Sequence, residues 1–177
     1  MTPRLDRPVV LVGLMGVGKS TIGRRLAKRL GLPFVDSDTA IEDAAGGASA
    51  AEVFELYGED DFRDGERRLV ARLIEGEVRV IATGGGAYVD PATRKLLNER
   101  AITIWLDAPV AILAERTGRR DTRPLLRGGD RAATLKRLAE ERQRSYAEAH
   151  IHVTSGVGGH GDVVNAILLK LDQWLSK

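Results

Sequence analysis

Residues 13–21 read GLMGVGKST, and this stretch decides the fold class of the chain. It fits the pattern G-x-x-x-x-G-K-[ST] and continues the apolar run VVLVG at 9–13. It leads into STIGRRLAKRL at 20–30, where apolar side chains recur at helical spacing. A strand, a glycine-rich loop and a helix in this order are the context in which the pattern binds nucleotide phosphates. The stretch therefore predicts a phosphate-binding loop.

The loop and the first helical turn after it have predicted roles at a nucleotide. The residues expected to contact it are Gly16, Val17, Gly18, Lys19, Ser20 and Thr21. The backbone amides point at phosphate oxygens and are helped by the helix dipole. We expect Lys19 to reach the β- and γ-phosphates, Ser20 to ligate Mg²⁺ and Thr21 to donate to the α-phosphate. The motif alone does not separate a GTPase switch, a motor ATPase and a small-molecule kinase.

Strands and helices alternate along the rest of the chain. Further apolar runs that are typical of strands lie at 33–36, 78–82, 102–106 and 151–153. Continuous apolar strands separated by helices predict a parallel sheet that is covered on both faces. We therefore expect an α/β fold of three layers with about five parallel strands, formed as a single domain by residues 1–177.

The composition limits the kinds of partner. The chain has 27 basic and 25 acidic side chains and a net charge of +2, which is weak evidence for a nucleic-acid partner. It has no cysteine, which excludes disulfides and thiolate metal sites. No apolar run approaches the length that spans a membrane. We expect a cytoplasmic monomer that binds neither nucleic acid nor membrane.

Two carboxylates follow the second predicted strand. Asp36 and Asp38 are two residues apart at its end, so both can project toward the carboxyl edge of the sheet, where open α/β folds bind ligands. Asp36 is the candidate to hold Mg²⁺, directly or through water. Asp38 is the candidate to orient or deprotonate an acceptor hydroxyl. The alternative for Asp38 is that it caps the following helix.

A glycine run and a pair of charged residues suggest an acceptor pocket. Residues 83–87 read TGGGA directly after the third predicted strand, where bare backbone can form the floor of a cleft. Arg63 and Glu66 are three residues apart on a predicted helix. Either Arg63 grips a substrate carboxylate, or the two form an ordinary solvated ion pair.

Residues 116–129 are rich in arginine and glycine and include RPLL at 123–126. A solvated loop is the simple interpretation of such a charge run. The rigid proline and the two leucines favour a mobile lid that brings an arginine over the γ-phosphate and keeps water from it.

The chain resembles the shikimate kinase family over nearly its whole length. The segments that carry the resemblance are GLMGVGKST at 13–21, DSD at 36–38, FRDGE at 62–66, TGGGA at 83–87, RPLL at 123–126 and RQRSY at 142–146. Only the first is highly specific by itself, and it is specific for nucleotide binding alone. The order and spacing of all six are specific to the family.

The resemblance implies ATP-dependent phosphorylation of shikimate at its 3-hydroxyl, in the pathway to chorismate and the aromatic amino acids. Asp38 is then the base that binds the ring hydroxyls. Arg63 and Arg142 grip the shikimate carboxylate, and the substrate-binding region extends over about residues 36–66. The residues that line the acceptor pocket are Gly84, Gly85 and Gly86.

The resemblance also implies roles at ATP. Lys19, Asp38 and Arg123 are the implied catalytic residues, and Arg123 contacts the ATP phosphates from the lid. Arg116 lies against adenine. Ser20 ligates Mg²⁺ directly, and Asp36 reaches it through water.

The chain departs from the family in two places. The stretch TSGVGGHGD at 154–162 lacks the arginine and the proline that often enclose adenine, so no adenine contact is assigned there. Arg144 stands where a proline is frequent, which leaves Arg142 and Arg144 both open as the carboxylate ligand, and the spacing to Tyr146 favours Arg142. The alternatives to a shikimate kinase are a kinase for gluconate or a nucleoside monophosphate, and a nucleotide switch or binding protein without catalysis.

Overall fold

The computed structural model describes residues 4–118, 130–156 and 158–177, which form one parallel sheet covered by helices. The strands are β1 (Val9–Val12), β2 (Phe34–Asp36), β3 (Val80–Ala82), β4 (Ile102–Asp107) and β5 (Ile151–Thr154). They pair in the order β2-β3-β1-β4-β5, and every pairing is parallel. The predicted α/β fold with about five parallel strands is thus confirmed.

Helices flank the sheet on both faces. They are α1 (Lys19–Leu30), α2 (Ser37–Ala44), α3 (Ala50–Glu75), α4 (Pro91–Arg100), α5 (Val110–Gly118), α6 (Arg131–Tyr146) and α7 (His160–Leu175), with a short 3-10 helix at Ala87–Val89. Helix α1 packs against α7, and α3 packs against α4 on the opposite face, as right-handed crossovers require. Within the described ranges, no helix is both long enough and apolar enough to cross a membrane.

The sheet register brings three loops to one edge. Leu11 of β1 and Asp36 of β2 both lie beside Ala82 of β3. The chain leaves all three strands at that level, because β1 ends at Val12 and β2 and β3 end at the paired residues. The phosphate loop, the Asp36–Asp38 segment and the glycine run therefore meet at the carboxyl edge, where open α/β sheets bind ligands.

Glycines divide the helical region between β2 and β3. Gly46 and Gly47 separate α2 from α3, and both have positive φ angles. Ser49 and Glu52 form a reciprocal capping box at the start of α3. Gly58 has a φ of 82° and is not helical, so the helix Ala50–Glu75 is kinked at this residue. The kinked helix carries Arg63 and Glu66 back toward the sheet edge.

His150 makes the stability of the fold depend on pH. Its Nδ1 accepts a hydrogen bond at 3.1 Å from the backbone N–H of the buried Thr103 in β4. Burial is the main cause that lowers the pKa of His150, and the charge of Arg7 lowers it further. A histidine with a lowered pKa in the folded state stabilises the fold above its unfolded pKa of about 6.5, and this stability is lost as the pH falls through the lower, folded value.

We therefore expect the melting temperature to fall as the pH is lowered from 7.5 to 5, and expect this fall to be smaller in His150→Asn. The asparagine keeps an acceptor oxygen for Thr103 but takes up no proton in this range. Thermal unfolding followed by circular dichroism at several pH values measures both slopes. Identical slopes in the two proteins would contradict this role of His150.

Candidate active site

The phosphate loop is shaped by glycines between β1 and α1. Gly13, Gly16 and Gly18 have φ angles of 144°, 84° and 98°, which side chains of L-residues rarely allow. At Gly16 a Cβ would also come within 2.9 Å of the Thr117 side chain on α5. The loop is therefore both bent and tightly packed, with the N-terminus of α1 directly behind it.

Lys19 lies inside this loop, with only 8% of its surface exposed. Its Nζ donates to the backbone oxygens of Gly13 at 2.6 Å and Leu14 at 2.9 Å. A cation and the N-terminus of α1 thus share one small volume, which favours an anion such as a phosphate chain.

Ser20, the residue after Lys19, forms a hydrogen bond with Asp36. The Ser20 hydroxyl donates to Asp36 Oδ2, while Asp36 Oδ1 accepts from the backbone N–H of Asp38 at 2.9 Å and of Thr39 at 3.4 Å. Asp36 is therefore the N-cap of α2, and Asp38 lies in the first turn of that helix. The capping role that was the alternative for Asp38 is thus filled by Asp36. Hydroxyl and carboxylate oxygens are ligands that suit Mg²⁺, so Ser20 and Asp36 both fit the magnesium ion that the sequence analysis expects here.

The glycine run lies against Asp38 and Glu66. The backbone N–H of Gly84 donates to Ser37 Oγ at 3.1 Å. A Cβ on Gly84 would lie 3.0 Å from Asp38 Oδ1 and 3.0 Å from Glu66 Oε2, so two carboxyl groups flank the glycine. Absence of a side chain at Gly84 leaves room for both groups at the end of β3.

The same run contacts two arginines. A Cβ on Gly86 would lie 2.6 Å from Arg63 Cζ, so the guanidinium covers that backbone directly. A Cβ on Gly85 would lie 3.5 Å from Arg142 Nη1. The two guanidinium groups therefore lie at the edge of the floor that the glycine backbone forms. An acceptor with a carboxylate would need positive groups at this place.

Arg142 is buried, and Arg144 is exposed. Among the described residues, the Nη1 atom of Arg142 has no hydrogen-bond partner, and it is inaccessible to solvent. A buried donor of this kind is costly unless a ligand satisfies it, so it points to an anion that binds beside Gly85. Between the two arginines that the sequence left open, the structure places Arg142 at the site.

Arg63 forms an ion pair with Glu66 that is largely buried. Arg63 Nη1 lies 2.6 Å from Glu66 Oε1, and the Glu66 side chain is only 3% exposed. Glu66 Oε2 is also buried, and no described residue gives it a hydrogen bond. Burial raises the pKa of Glu66, with smaller raising effects from the Asp38 and Asp90 charges, and Arg63 opposes the rise. The pair is thus part of the site and not a solvated surface contact.

Tyr146 is a site residue that sequence reasoning used only as a spacing marker. It lies one helical turn after Arg142 on α6, and its hydroxyl donates to the backbone oxygen of Gly85. Its ring is buried and stacks with Trp105 at a centroid distance of 5.8 Å, and burial raises the pKa of its hydroxyl. The tyrosine therefore fixes the glycine floor beside Arg142.

One cavity of about 370 Å³ joins the phosphate loop to the carboxylates and the glycine run. Its lining comprises Gly16, Gly18, Lys19, Ser20, Thr21, Asp36, Asp38, Thr83, Gly84, Gly85, Arg116, Thr117 and His160. Arg116 Nη1 donates to the oxygens of Gly16 and Val17, each at 3.3 Å. Arg123 and most of the predicted lid at 116–129 lie outside the described residues. His160 was not identified from the sequence.

Comparisons with known proteins agree with one another. Residues 15–172 match the family model for shikimate kinase. The shikimate kinase of Novosphingobium aromaticivorans is 52% identical over 97% of this chain and 91% of its own length. The shikimate kinase of Caulobacter vibrioides is 53% identical over 98% of this chain and 86% of its own.

A solved structure of shikimate kinase from Acinetobacter baumannii in complex with shikimate superposes with a TM-score of 0.90, at 38% identity over 94% of each chain. A gluconokinase from Sinorhizobium meliloti has a TM-score of 0.66 at 19% identity over 98% of each chain, which shows a shared fold alone. The family match and these identities over nearly the full length show that the chain belongs to the shikimate kinase family.

Proposed function

We propose that this chain transfers the γ-phosphoryl group of ATP to the 3-hydroxyl of shikimate, giving shikimate 3-phosphate and ADP. The observation that carries the proposal is the buried, unpartnered Nη1 of Arg142 beside Gly85, in the same site as a complete phosphate loop. A small acceptor with a carboxylate would satisfy that donor. Shikimate and gluconate both carry one, and the family to which the chain belongs favours shikimate.

The acceptor is held at the glycine floor. Arg63 and Arg142 bind its carboxylate, and the backbone of residues 84–86 allows its ring to lie close. The acceptor hydroxyl then faces Asp38, whose Oδ1 lies over Gly84. Glu66 keeps Arg63 in place through the 2.6 Å ion pair. This arrangement orients one hydroxyl toward the phosphate loop, and orientation of this kind lowers the entropic part of the barrier to such a transfer.

The phosphoryl group is transferred between the loop and Asp38. A bond forms from the acceptor oxygen to the γ-phosphorus, and the bond from that phosphorus to the β,γ-bridging oxygen breaks. The proton of the hydroxyl passes to Asp38. Asp38 also orients the hydroxyl, and this matters because a loose transition state needs little help from a base. Lys19 and the loop amides stabilise the charge on the phosphate oxygens, and Arg116 lies against adenine.

Mg²⁺ fits this site, with Ser20 as a direct ligand and Asp36 acting through water. When bound, the ion neutralises charge on the β- and γ-phosphate oxygens. Arg123 is proposed to contact the ATP phosphates from the segment 119–129. The enzyme is further proposed to be a cytoplasmic monomer without nucleic-acid or membrane partners, since the reaction needs only two small substrates.

Coupled ADP release tests the proposed function. The purified chain is assayed with ATP and Mg²⁺ and with shikimate, gluconate, a nucleoside monophosphate or water alone as acceptor. We expect turnover with shikimate well above that with every other acceptor. Equal or greater turnover with gluconate or a nucleotide would overturn the acceptor assignment, and ATP binding without any turnover would overturn the catalytic one.

Arg142→Ala is expected to raise the KM for shikimate by about 10- to 100-fold, with a smaller effect on kcat. The reason is that a charge-assisted contact to the carboxylate is made in the ground state as well as in the transition state. Steady-state kinetics with varied shikimate measure both constants. Arg144→Ala, on the exposed face of the same helix, is the matched control and should leave both unchanged. Equal effects of the two substitutions would contradict the assignment.

A further inference from the structure

The charged side chains that line the cavity at the phosphate loop balance one another. Among the described lining residues, Lys19 and Arg116 are positive, and Asp36 and Asp38 are negative. His160, the remaining titratable one, is neutral at pH 7.5 because burial lowers its pKa. A lining with balanced charges exerts little pull on a distant anion, and ATP remains an anion when Mg²⁺ is bound. Charges outside the lining therefore decide whether the nucleotide is attracted from a distance.

Helix α1 carries such charges on its exposed face. Its 12 residues include five basic side chains and no acidic one. Arg24 and Arg25 are exposed in the middle of the helix, and neither forms an ion pair with a described residue. Their positive charges are therefore not cancelled by a neighbouring carboxylate.

Two observations place these arginines beside the mouth of the cavity. Thr21 lines the cavity, and Arg24 and Arg25 follow it by three and four residues, so the same side of α1 carries all three. After burial, the charge of Arg25 is the next cause that lowers the pKa of His160. The Arg24 guanidinium lies 5.2 Å from the ring centroid of Phe34 at the start of β2. The two guanidinium groups thus extend toward α7 and toward β2, on either side of Thr21.

The face of the sheet away from α1 has the opposite charge. Helix α3, which packs with α4 on that face, has eight acidic and four basic side chains. Three of the acidic residues, 59–61, are consecutive and exposed directly after the kink at Gly58. An approaching anion is therefore repelled near the kink of α3 and attracted near α1.

We propose that Arg24 and Arg25 form an electrostatic guide that draws the ATP anion toward the phosphate loop and speeds its association without contacting the bound nucleotide. This inference rests on the proposed use of ATP and adds a surface that acts before binding. Exposed charges at the edge of a site mainly change the association rate constant and its salt dependence. Their effect weakens with salt, because screening acts over about 10 Å at 0.1 M ionic strength.

Stopped-flow fluorescence with ATP labelled on its ribose tests the guide, with the full chain, Mg²⁺ and no shikimate. At about 20 mM salt, we expect Arg24→Gln/Arg25→Gln to lower the association rate constant by about 3-fold and Arg24→Glu/Arg25→Glu by about 10-fold, since screened attraction contributes about twofold per unit charge. The dissociation rate constants should change by less than about twofold. At about 0.3 M salt, the association rate constants should agree within about 1.5-fold. Arg24→Lys/Arg25→Lys keeps both charges and should keep the unmodified rate.

Lys95→Gln/Arg100→Gln is the matched control, because it removes the same two positive charges from exposed positions on α4. It should associate with labelled ATP as the unmodified chain does, and circular dichroism checks that every variant is folded. A loss in this control equal to that in Arg24→Gln/Arg25→Gln would show that net charge alone matters and would overturn the inference. Unchanged association in Arg24→Glu/Arg25→Glu would also overturn it. A loss that persists at high salt, or that lies in the dissociation rate constant, would overturn it in favour of a direct contact.

The outcome does not depend on the acceptor, because shikimate is absent from these measurements. A chain in which Arg24 and Arg25 speed the association of ATP, but which fails to phosphorylate shikimate, would leave this inference intact and overturn the proposed function alone.

Discussion

Replacement of Lys19 by Ala is expected to lower kcat by about 100-fold or more. Lys19 is 8% exposed and its Nζ is bound to two loop carbonyls, so its charge is fixed in the phosphate loop before ATP arrives. A preorganised donor of this kind acts mainly on the charge that develops in the transition state, and loss of one such donor typically costs 10²–10³ in rate. Initial rates at saturating ATP and shikimate measure the effect.

Lys28→Ala provides the matched control on the same helix. Lys28 is exposed in the last turn of α1 and does not line the cavity at the phosphate loop. We expect its kcat to stay within twofold of the unmodified chain. A kcat for Lys19→Ala near that of this control would show that the loop amides alone stabilise the transferred group, and would contradict the role given to the lysine.

Asp38→Asn is expected to lower kcat by about 100-fold, the lower end of the range for general acid–base catalysis. The amide keeps the size of the carboxyl group beside Gly84 but cannot take the proton of the acceptor hydroxyl. It also removes one negative charge next to the buried Glu66, which is among the causes that raise the pKa of that residue. The affinity for ATP should change little, because Asp38 lies on the acceptor side.

Asp43→Asn is the control for this prediction, since Asp43 lies exposed near the end of the same helix. Full turnover in Asp38→Asn would contradict its role as the base. A loss of kcat in Asp43→Asn equal to that in Asp38→Asn would mean that α2 has been disturbed as a whole. Calorimetric binding of shikimate to both variants separates a lost proton acceptor from a lost binding site.

The sequence predicted the parts of this protein that depend on short-range pattern. The phosphate loop follows from the spacing of residues 13–21 and their place between a strand and a helix. The parallel sheet follows from continuous apolar runs such as residues 102–106, because such strands must be buried on both faces. Asp36 and Asp38 could be placed at the sheet edge because they directly follow a strand.

What the sequence could not predict depends on packing between distant segments. The spacing to Tyr146 favoured Arg142 over Arg144, but only the packing of α6 decides that Arg142 is the one that is buried. The buried Oε2 of Glu66 depends on the kink that returns α3 to the glycine run. His160 could not be identified, because a histidine in a glycine-rich stretch has no pattern that links it to Gly18, 142 positions earlier in the chain.

Phosphorus and proton nuclear magnetic resonance of the reaction product would show whether the chain phosphorylates shikimate at the 3-hydroxyl. The chain is incubated with ATP, Mg²⁺ and shikimate, and the coupling between phosphorus and the ring protons locates the new phosphoester. We expect a single product that carries phosphate on the 3-hydroxyl, the group placed at Asp38 when Arg63 and Arg142 hold the carboxylate. Phosphate on another hydroxyl, or no phosphorylated shikimate while ATP is bound, would contradict it.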